Sequence, residues 1–278
     1  MGETTAPSAT DGIALMPFGE AHLPGALRLT QEVEWPHREA DWRLTLSVSE
    51  GVAAVRGGEV VGTALCSRVG AVAALNMIVV SERLRGAGLG RRLMDAVLEL
   101  AGPRACRLVG TDVALPLYRK LGFRATGLIL QHQGIARPAR PDQPVETGDP
   151  SRVPALARLN AAATGMEREG LLAAIAATGP VLETEGGFAL LRPFGRGTVL
   201  GPVVARGGAA ARALMSEAAR RHAGTFLRID MPEARSQADH AEALGLTHVG
   251  GGTAMARGDA LAPPSDHETY ALVSQALG

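Results

Sequence analysis

Arg83-Leu84-Arg85-Gly86-Ala87-Gly88-Leu89-Gly90 lies between an apolar run, Leu75-Asn76-Met77-Ile78-Val79-Val80, and a stretch in which Leu89, Leu93, Val97 and Leu100 recur at helical spacing. Glycine at positions 86, 88 and 90 weakens any strand or helix that contains the segment, so bare backbone is what this position needs. The run before it reads as a strand and the periodic stretch after it as a helix with one buried face. A sharp turn from strand to helix leaves the first helical N–H groups without intrahelical partners. With the helix dipole, those amides make an anion site suited to phosphate.

Two phosphate-binding patterns fail here. A dinucleotide fingerprint counted from Gly86 needs glycine where Arg91 stands, and Ser81 to Leu84 intervene between the strand and Arg85. A P-loop needs Gly-Lys-Ser/Thr, and the one lysine of the chain is distant, at Lys120. What remains is Arg85-x-x-Gly88-x-Gly90, for which a purely structural turn is the alternative reading.

Around this loop, helix and strand patterns alternate as in a mixed α/β domain. Pro24 to Val33 and Glu39 to Ser49 read as helices, and residues 51–56 and 60–67 as a hairpin turning at Gly57-Gly58. Ala71 to Val80 and Arg107 to Val113 read as strands, Ala114 to Leu121 as a helix, and Ala125 to Gln133 as a last strand. Ala136 to Pro144 is rich in proline and charge and lacks periodicity, which marks a linker. The organisation expected is a flexible tail over 1–12, a first domain over 13–135, a linker over 136–146 and a second domain over 147–278. Beyond Pro263-Pro264, the apolar stripe Tyr270, Leu272, Val273, Ala276 and Leu277 predicts a short C-terminal helix. It would dock on the second domain or between domains, with a homodimer contact as the alternative.

Composition narrows the function classes. Basic and acidic residues number 28 each among 278, so no electrostatic case exists for nucleic acid or an anionic membrane surface. No apolar run approaches the roughly 20 residues that span a bilayer, and Met1 to Asp11 lacks the apolar centre of a signal peptide. Cys66, Cys106 and the histidines show no metal-ligand spacing, so no metal is expected. These features point to a reduced, cytoplasmic protein whose partners are small molecules or proteins.

The pattern Arg85-x-x-Gly88-x-Gly90 resembles the pyrophosphate loop of the GCN5-related N-acetyltransferases, or GNATs. A second signature stands downstream, in the expected order. Thr111-Asp112-Val113-Ala114-Leu115-Pro116-Leu117-Tyr118-Arg119-Lys120-Leu121-Gly122-Phe123 is similar to the family's N-x-x-A-x-x-L-Y-x-x-x-G-F, with Thr111 where asparagine is usual. Asp41-Trp42-Arg43-Leu44 resembles a bacterial branch in which a GNAT lobe precedes a degenerate second lobe. The second half supports duplication: Arg206-Gly207-Gly208-Ala209-Ala210-Ala211 follows Val203-Val204 much as Arg85 to Gly90 follows Val79-Val80, with alanines in place of Gly88 and Gly90. Ala241 to Leu246 parallels Tyr118 to Phe123, and Gly187 to Arg192 echoes Gly51 to Arg56.

The resemblance implies a mixed, mostly antiparallel sheet flanked by helices and duplicated as two lobes. It further implies acetyl transfer from acetyl-CoA to a primary amine. The backbone of Ile78, Val79 and Val80 would pair with the pantetheine arm, and Arg85, Gly86, Ala87, Gly88, Leu89 and Gly90 would hold the pyrophosphate. Thr111 would touch the cofactor arm, and a strand N–H would stabilise the oxyanion. Tyr118 would protonate the departing thiolate. The family's usual glutamate falls near Asn76-Met77, where no acid stands. Glu34 is the foremost candidate base, followed by His37, Glu39, Asp41 and Asp112, while Trp35 and Trp42 either wall the acceptor pocket or pack the core. A small amine is the expected acceptor; a protein amine, or a non-catalytic acyl-CoA sensor, is the alternative.

Overall fold

The computed structural model describes residues 12–259 and 265–278, so the tail up to residue 11 and Pro263-Pro264 lie outside the described residues. The chain packs as two compact units, one running to Ser67 and including Leu75–Gly102, the other comprising Arg68–Ala74 and Pro103–Gly278. No helix among the described residues is long and apolar enough to cross a membrane.

The first unit starts with β1 (Ile13–Pro17), α1 (Leu23–Glu32) and α2 (Glu39–Ser47). It continues through β2 (Glu50–Arg56), β3 (Glu59–Val69), β4 (Val72–Val80) and α3 (Leu89–Ala101), with the ends of β3 and β4 that face each other in sequence belonging to the second unit. β2 pairs antiparallel with β1 and with β3, and the tight β2–β3 turn is made possible by Gly57 and Gly58 at φ 58 and 82. The periodicity from Leu89 to Val97 becomes the buried face of α3, while Arg91 and Asp95 on its outer face pair at 2.9 Å. Trp42 is fully buried, stacks on Phe18 at a centroid distance of 5.6 Å, and donates its indole N–H to Thr30 Oγ1 at 3.3 Å. It is therefore a core residue.

The second unit contains β5 (Ala105–Gly110), α4 (Leu115–Lys120), β6 (Arg124–Ile135), β7 (Val145–Thr147), α5 (Val153–Thr164) and α6 (Glu169–Ala176). After them come β8 (Val181–Thr184), β9 (Gly187–Phe194), β10 (Gly197–Ala205), α7 (Gly208–Arg221), β11 (Phe226–Pro232), α8 (Ala238–Ala243), β12 (Thr247–Arg257) and β13 (Glu268–Ala271). Its strands lie in the order β5-β12-β6-β11-β10-β9-β8-β7, with β13 added on β10. Pairing is antiparallel except between β10 and β11 and where Val72–Ala74 of β4 runs parallel to Ala105–Arg107 of β5. Leu182, Leu191, Leu200, Leu214, Leu227 and Ile229 are among the residues of its buried core.

Element order repeats. Strands β7 to β10, helix α7, strand β11, helix α8 and strand β12 succeed one another as β1 to β4, α3, β5, α4 and β6 do. The final strands are exchanged: β12 pairs with β5, and β6 pairs with β11 as well as with β12. This exchange carries β5, α4 and β6 into the second unit, so the packing units and the sequence halves are different divisions of the chain. The segment after β6 is tied down at its start, with Ala136 N–H donating to Thr225 O at 2.9 Å and Arg137 N–H to Leu244 O at 2.8 Å.

Three local expectations are corrected. The C-terminal apolar stripe forms β13 and a turn, not a helix, because the backbone of β10 offers hydrogen-bond partners that so short a helix could not supply for itself. The strand read to Val113 ends at Gly110, and Val113 is exposed. Gly187–Arg192 lies in β9, which matches β3 in element order; the counterpart of Gly51–Arg56 is β8. Runs of valine, alanine and leucine look alike one hairpin apart, and only pairing resolves the register.

Candidate active site

In the first unit, β4 leads through a single 3-10 turn, Glu82–Leu84, into the glycine loop. Gly86 and Gly88 have φ 79 and 82, and Gly88 is the N-cap of α3. A Cβ built on either glycine would meet nothing within 4 Å, so these glycines are required by backbone conformation and not by packing. Among the described residues, the amides of Gly86 through Gly90 donate to no protein acceptor. The Arg85 amide is not part of that open set, because it donates to Glu82 O at 3.2 Å. Its guanidinium also pairs with Glu82, at 2.9 Å. Successive unpaired N–H groups at the start of a thirteen-residue helix are what a phosphate group needs.

Upstream, Ile78 and Val80 are partly buried and Val79 is buried. The residue before them, Met77, has φ 48 inside the strand, a left-handed conformation that kinks a strand and costs an L-residue about 1–3 kcal/mol. Its carbonyl accepts a 2.7 Å hydrogen bond from the buried Thr63 hydroxyl on β3. Neither residue is distinctive in the sequence, since methionine carries no signal for positive φ. Thr63→Val should cost about 1–2 kcal/mol in denaturant unfolding, because it keeps the side-chain shape and removes one donor to the buried carbonyl.

The acidic candidates divide. Asp41 accepts from Arg38 N–H at 2.9 Å and pairs with the Arg38 guanidinium at 3.0 Å, so its carboxylate is engaged at the N-terminus of α2. Glu39 pairs with Arg43 at 2.8 Å on the same helix. Glu34 is exposed just after α1 at φ 57, in a reversal held by Glu34 N–H to Gln31 O at 3.1 Å and Trp35 N–H to Thr30 O at 2.8 Å. Trp35 and His37 come next, half-buried, with ring centroids 5.8 Å apart.

In the second unit, Thr111 and Asp112 are exposed after β5, and their carbonyls accept from Ala114 and Leu115 N–H at 2.9 and 3.3 Å, forming the turn into α4. Tyr118 on α4 is 4% exposed. Its ring packs on the backbone of Gly110, where a methyl group would come within 2.9 Å of Cε2, and lies 6.0 Å from the Phe123 ring. Burial alone pushes its phenol up to about 12, and among the described residues its hydroxyl has no hydrogen-bond partner. No cluster of histidine, cysteine, aspartate or glutamate suited to a metal occurs among the described residues.

A profile described as Acetyltransferase (GNAT) family matches residues 20–123, and one described as Acetyltransferase (GNAT) domain matches residues 156–271. The N-alpha-acetyltransferase RimI of Mycobacterium tuberculosis is 31% identical over 124 residues, covering 42% of this chain and 78% of that protein. Among solved structures, the "Putative Acetyltransferase" of Pyrococcus horikoshii shares the fold with a TM-score of 0.81 at 19% identity, over 96% of each chain. A GCN5-related N-acetyltransferase from Sphaerobacter thermophilus does so with a TM-score of 0.61 at 17% identity, over 91% of this chain and 99% of that one. The chain belongs to the GNAT acetyltransferase family and carries two GNAT domains in tandem.

Proposed function

We propose that the protein transfers an acetyl group from acetyl-CoA to a primary amine, and that the first of its tandem domains, residues 13–135, carries the reaction. The observation that supports this most is the row of amides from Gly86 to Gly90 without protein acceptors among the described residues, with Gly86 and Gly88 exposed, at the positive end of the α3 dipole. Pyrophosphate is the group whose charge and size suit it. The backbone of Ile78, Val79 and Val80 would then hold the amide-bearing arm, and Thr111 would contact it.

In this reading the neutral amine attacks the thioester carbonyl, and the carbon–sulfur bond breaks as the amide bond forms. The nitrogen loses a proton and the sulfur gains one. Tyr118 is assigned to the sulfur on the order of the two motifs and on its unpartnered hydroxyl. A phenol near 12 is a weaker acid than a thiol of about 8.5, so Tyr118 hydrogen-bonds the sulfur as charge develops and passes its proton only as another replaces it. Glu34 is the proposed acceptor of the amine proton, through water.

A small-molecule amine is the first acceptor class. The similarity to an N-alpha-acetyltransferase favours a protein α-amine as the second. Thiol release from acetyl-CoA should be measured against a panel of small polyfunctional amines and of peptides with free α-amines. Amine-dependent release is expected. Tight acetyl-CoA binding with no release on any amine would instead favour a sensor, and the class that turns over decides between the two acceptors.

A further inference from the structure

The second lobe repeats the parallel strand pair of the first, and there the chain itself fills the space where the two strands diverge. Val72–Ala74 of β4 pair with Ala105–Arg107 of β5, and Thr198–Leu200 of β10 pair in the same parallel sense with Leu227–Ile229 of β11. Beyond that point β13 takes up the backbone of β10, with Ala271 opposite Val203, Thr269 opposite Val204 and Glu268 opposite Ala205. Leu272 N–H then donates to Asp230 O on β11 at 2.9 Å, so the segment engages both strands of the fork. Gly201 is shaped for this passage: a Cβ there would sit 1.9 Å from Leu272 O.

Charges obey the same plan. Arg206, the sequence counterpart of Arg85, meets Asp266 at 2.7 Å, and Arg235 bonds to Glu268. Tyr270, Ala271 and Val273 are buried. Where the first lobe has the open loop, α7 starts at Gly208 directly after Arg206-Gly207, and Ala209 lies in its first turn.

We propose that Asp266–Val273 is a built-in occupant of the second lobe's fork, an extended peptide with carboxylates that stands where the first lobe would take acyl-CoA, and that it closes this lobe to acyl-CoA. The inference rests on the acetyl-CoA reading of the first lobe for its comparison, not for the segment's own contacts.

Hydrogen exchange on the full chain, with and without CoA, tests both separately. Expected are one equivalent of CoA bound, new protection in the first lobe at residues 78–80 and 86–92, and equal protection of residues 268–272 in both samples. No CoA binding with residues 268–272 still protected would remove the acetyl-CoA reading and uphold the self-occupied fork. Loss of protection at 268–272 on adding CoA, or a second equivalent bound, would overturn the proposal. Gly201→Ala should speed exchange at Tyr270–Leu272 at least tenfold with residues 86–101 unchanged. The milder pair Asp266→Asn and Glu268→Gln should speed it roughly three- to fivefold, the scale of two exposed ion pairs. Unchanged exchange in the folded variants would also overturn it.

Discussion

A Gly88→Val variant is expected to bind CoA roughly 100-fold more weakly than the parent protein while remaining folded. The factor corresponds to losing two charge-assisted hydrogen bonds at about 1.4 kcal/mol each. Gly88 sits at φ 82, a conformation that costs an L-residue about 1–2 kcal/mol, so valine either strains the loop or shifts it and turns the adjacent amides away from their common target. Nothing lies within 4 Å of the new Cβ, so the core is not disturbed. Gly58→Val is the matched control, because Gly58 has the same φ of 82 and the same open surroundings in the β2–β3 turn. Both variants should lose similar stability in thermal unfolding, and only Gly88→Val should lose CoA in calorimetric titration. Equal CoA affinity in the two would reduce the loop to a structural turn.

Tyr118→Phe is expected to lower kcat roughly 100-fold, the lower end of what a positioned proton donor contributes, with the acetyl-CoA Kd unchanged. Phenylalanine keeps the contacts with Gly110 and Phe123, and the hydroxyl it removes has no protein partner among the described residues, so the fold should not weaken near neutral pH. Single-turnover rates and equilibrium binding separate the two effects. An unchanged turnover rate would dismiss Tyr118 from the chemistry.

Alkaline pH offers a second readout on the same residue. Its folded value of about 12 lies above the ordinary 10, so the unfolded chain releases the proton first. The stability that depends on a protonated Tyr118 is complete below pH 10 and falls as pH rises from 10 towards 12, by roughly 2–3 kcal/mol. Denaturant melts of the parent and of Tyr118→Phe should diverge over that window and coincide below it.

The glycine loop and the helix that carries Tyr118 in the candidate site were legible because their signals are local. Three alternating glycines between a strand and an amphipathic helix can be read without knowing any distant neighbour, and Tyr118 sits in a motif whose spacing is one helical turn and its cap. Trp42 is different: its composition suits either a pocket wall or a core, and only its burial against Phe18 and Thr30 decides. Asp41 and Glu39 likewise look like acids near a cleft until Arg38 and Arg43 are seen beside them. Thr63 and Met77 could not have been found at all, since a left-handed residue within a strand is imposed by pairing and not by side-chain preference.

Family membership, the two lobes, the helices of the first lobe and the glycine loop with its open amides are all written in the order of residues. Each depends on periodicity, turn chemistry or residue spacing over a few turns of chain. The exchange of β6 and β12, the kink at Met77, and the conversion of the C-terminal apolar stripe from an expected helix to the strand that fills the β10–β11 fork are visible only once the chain is folded. One cause underlies all three. A strand's hydrogen-bond partners come from residues remote in sequence, whereas a helix or a tight turn finds its partners within a few residues of itself.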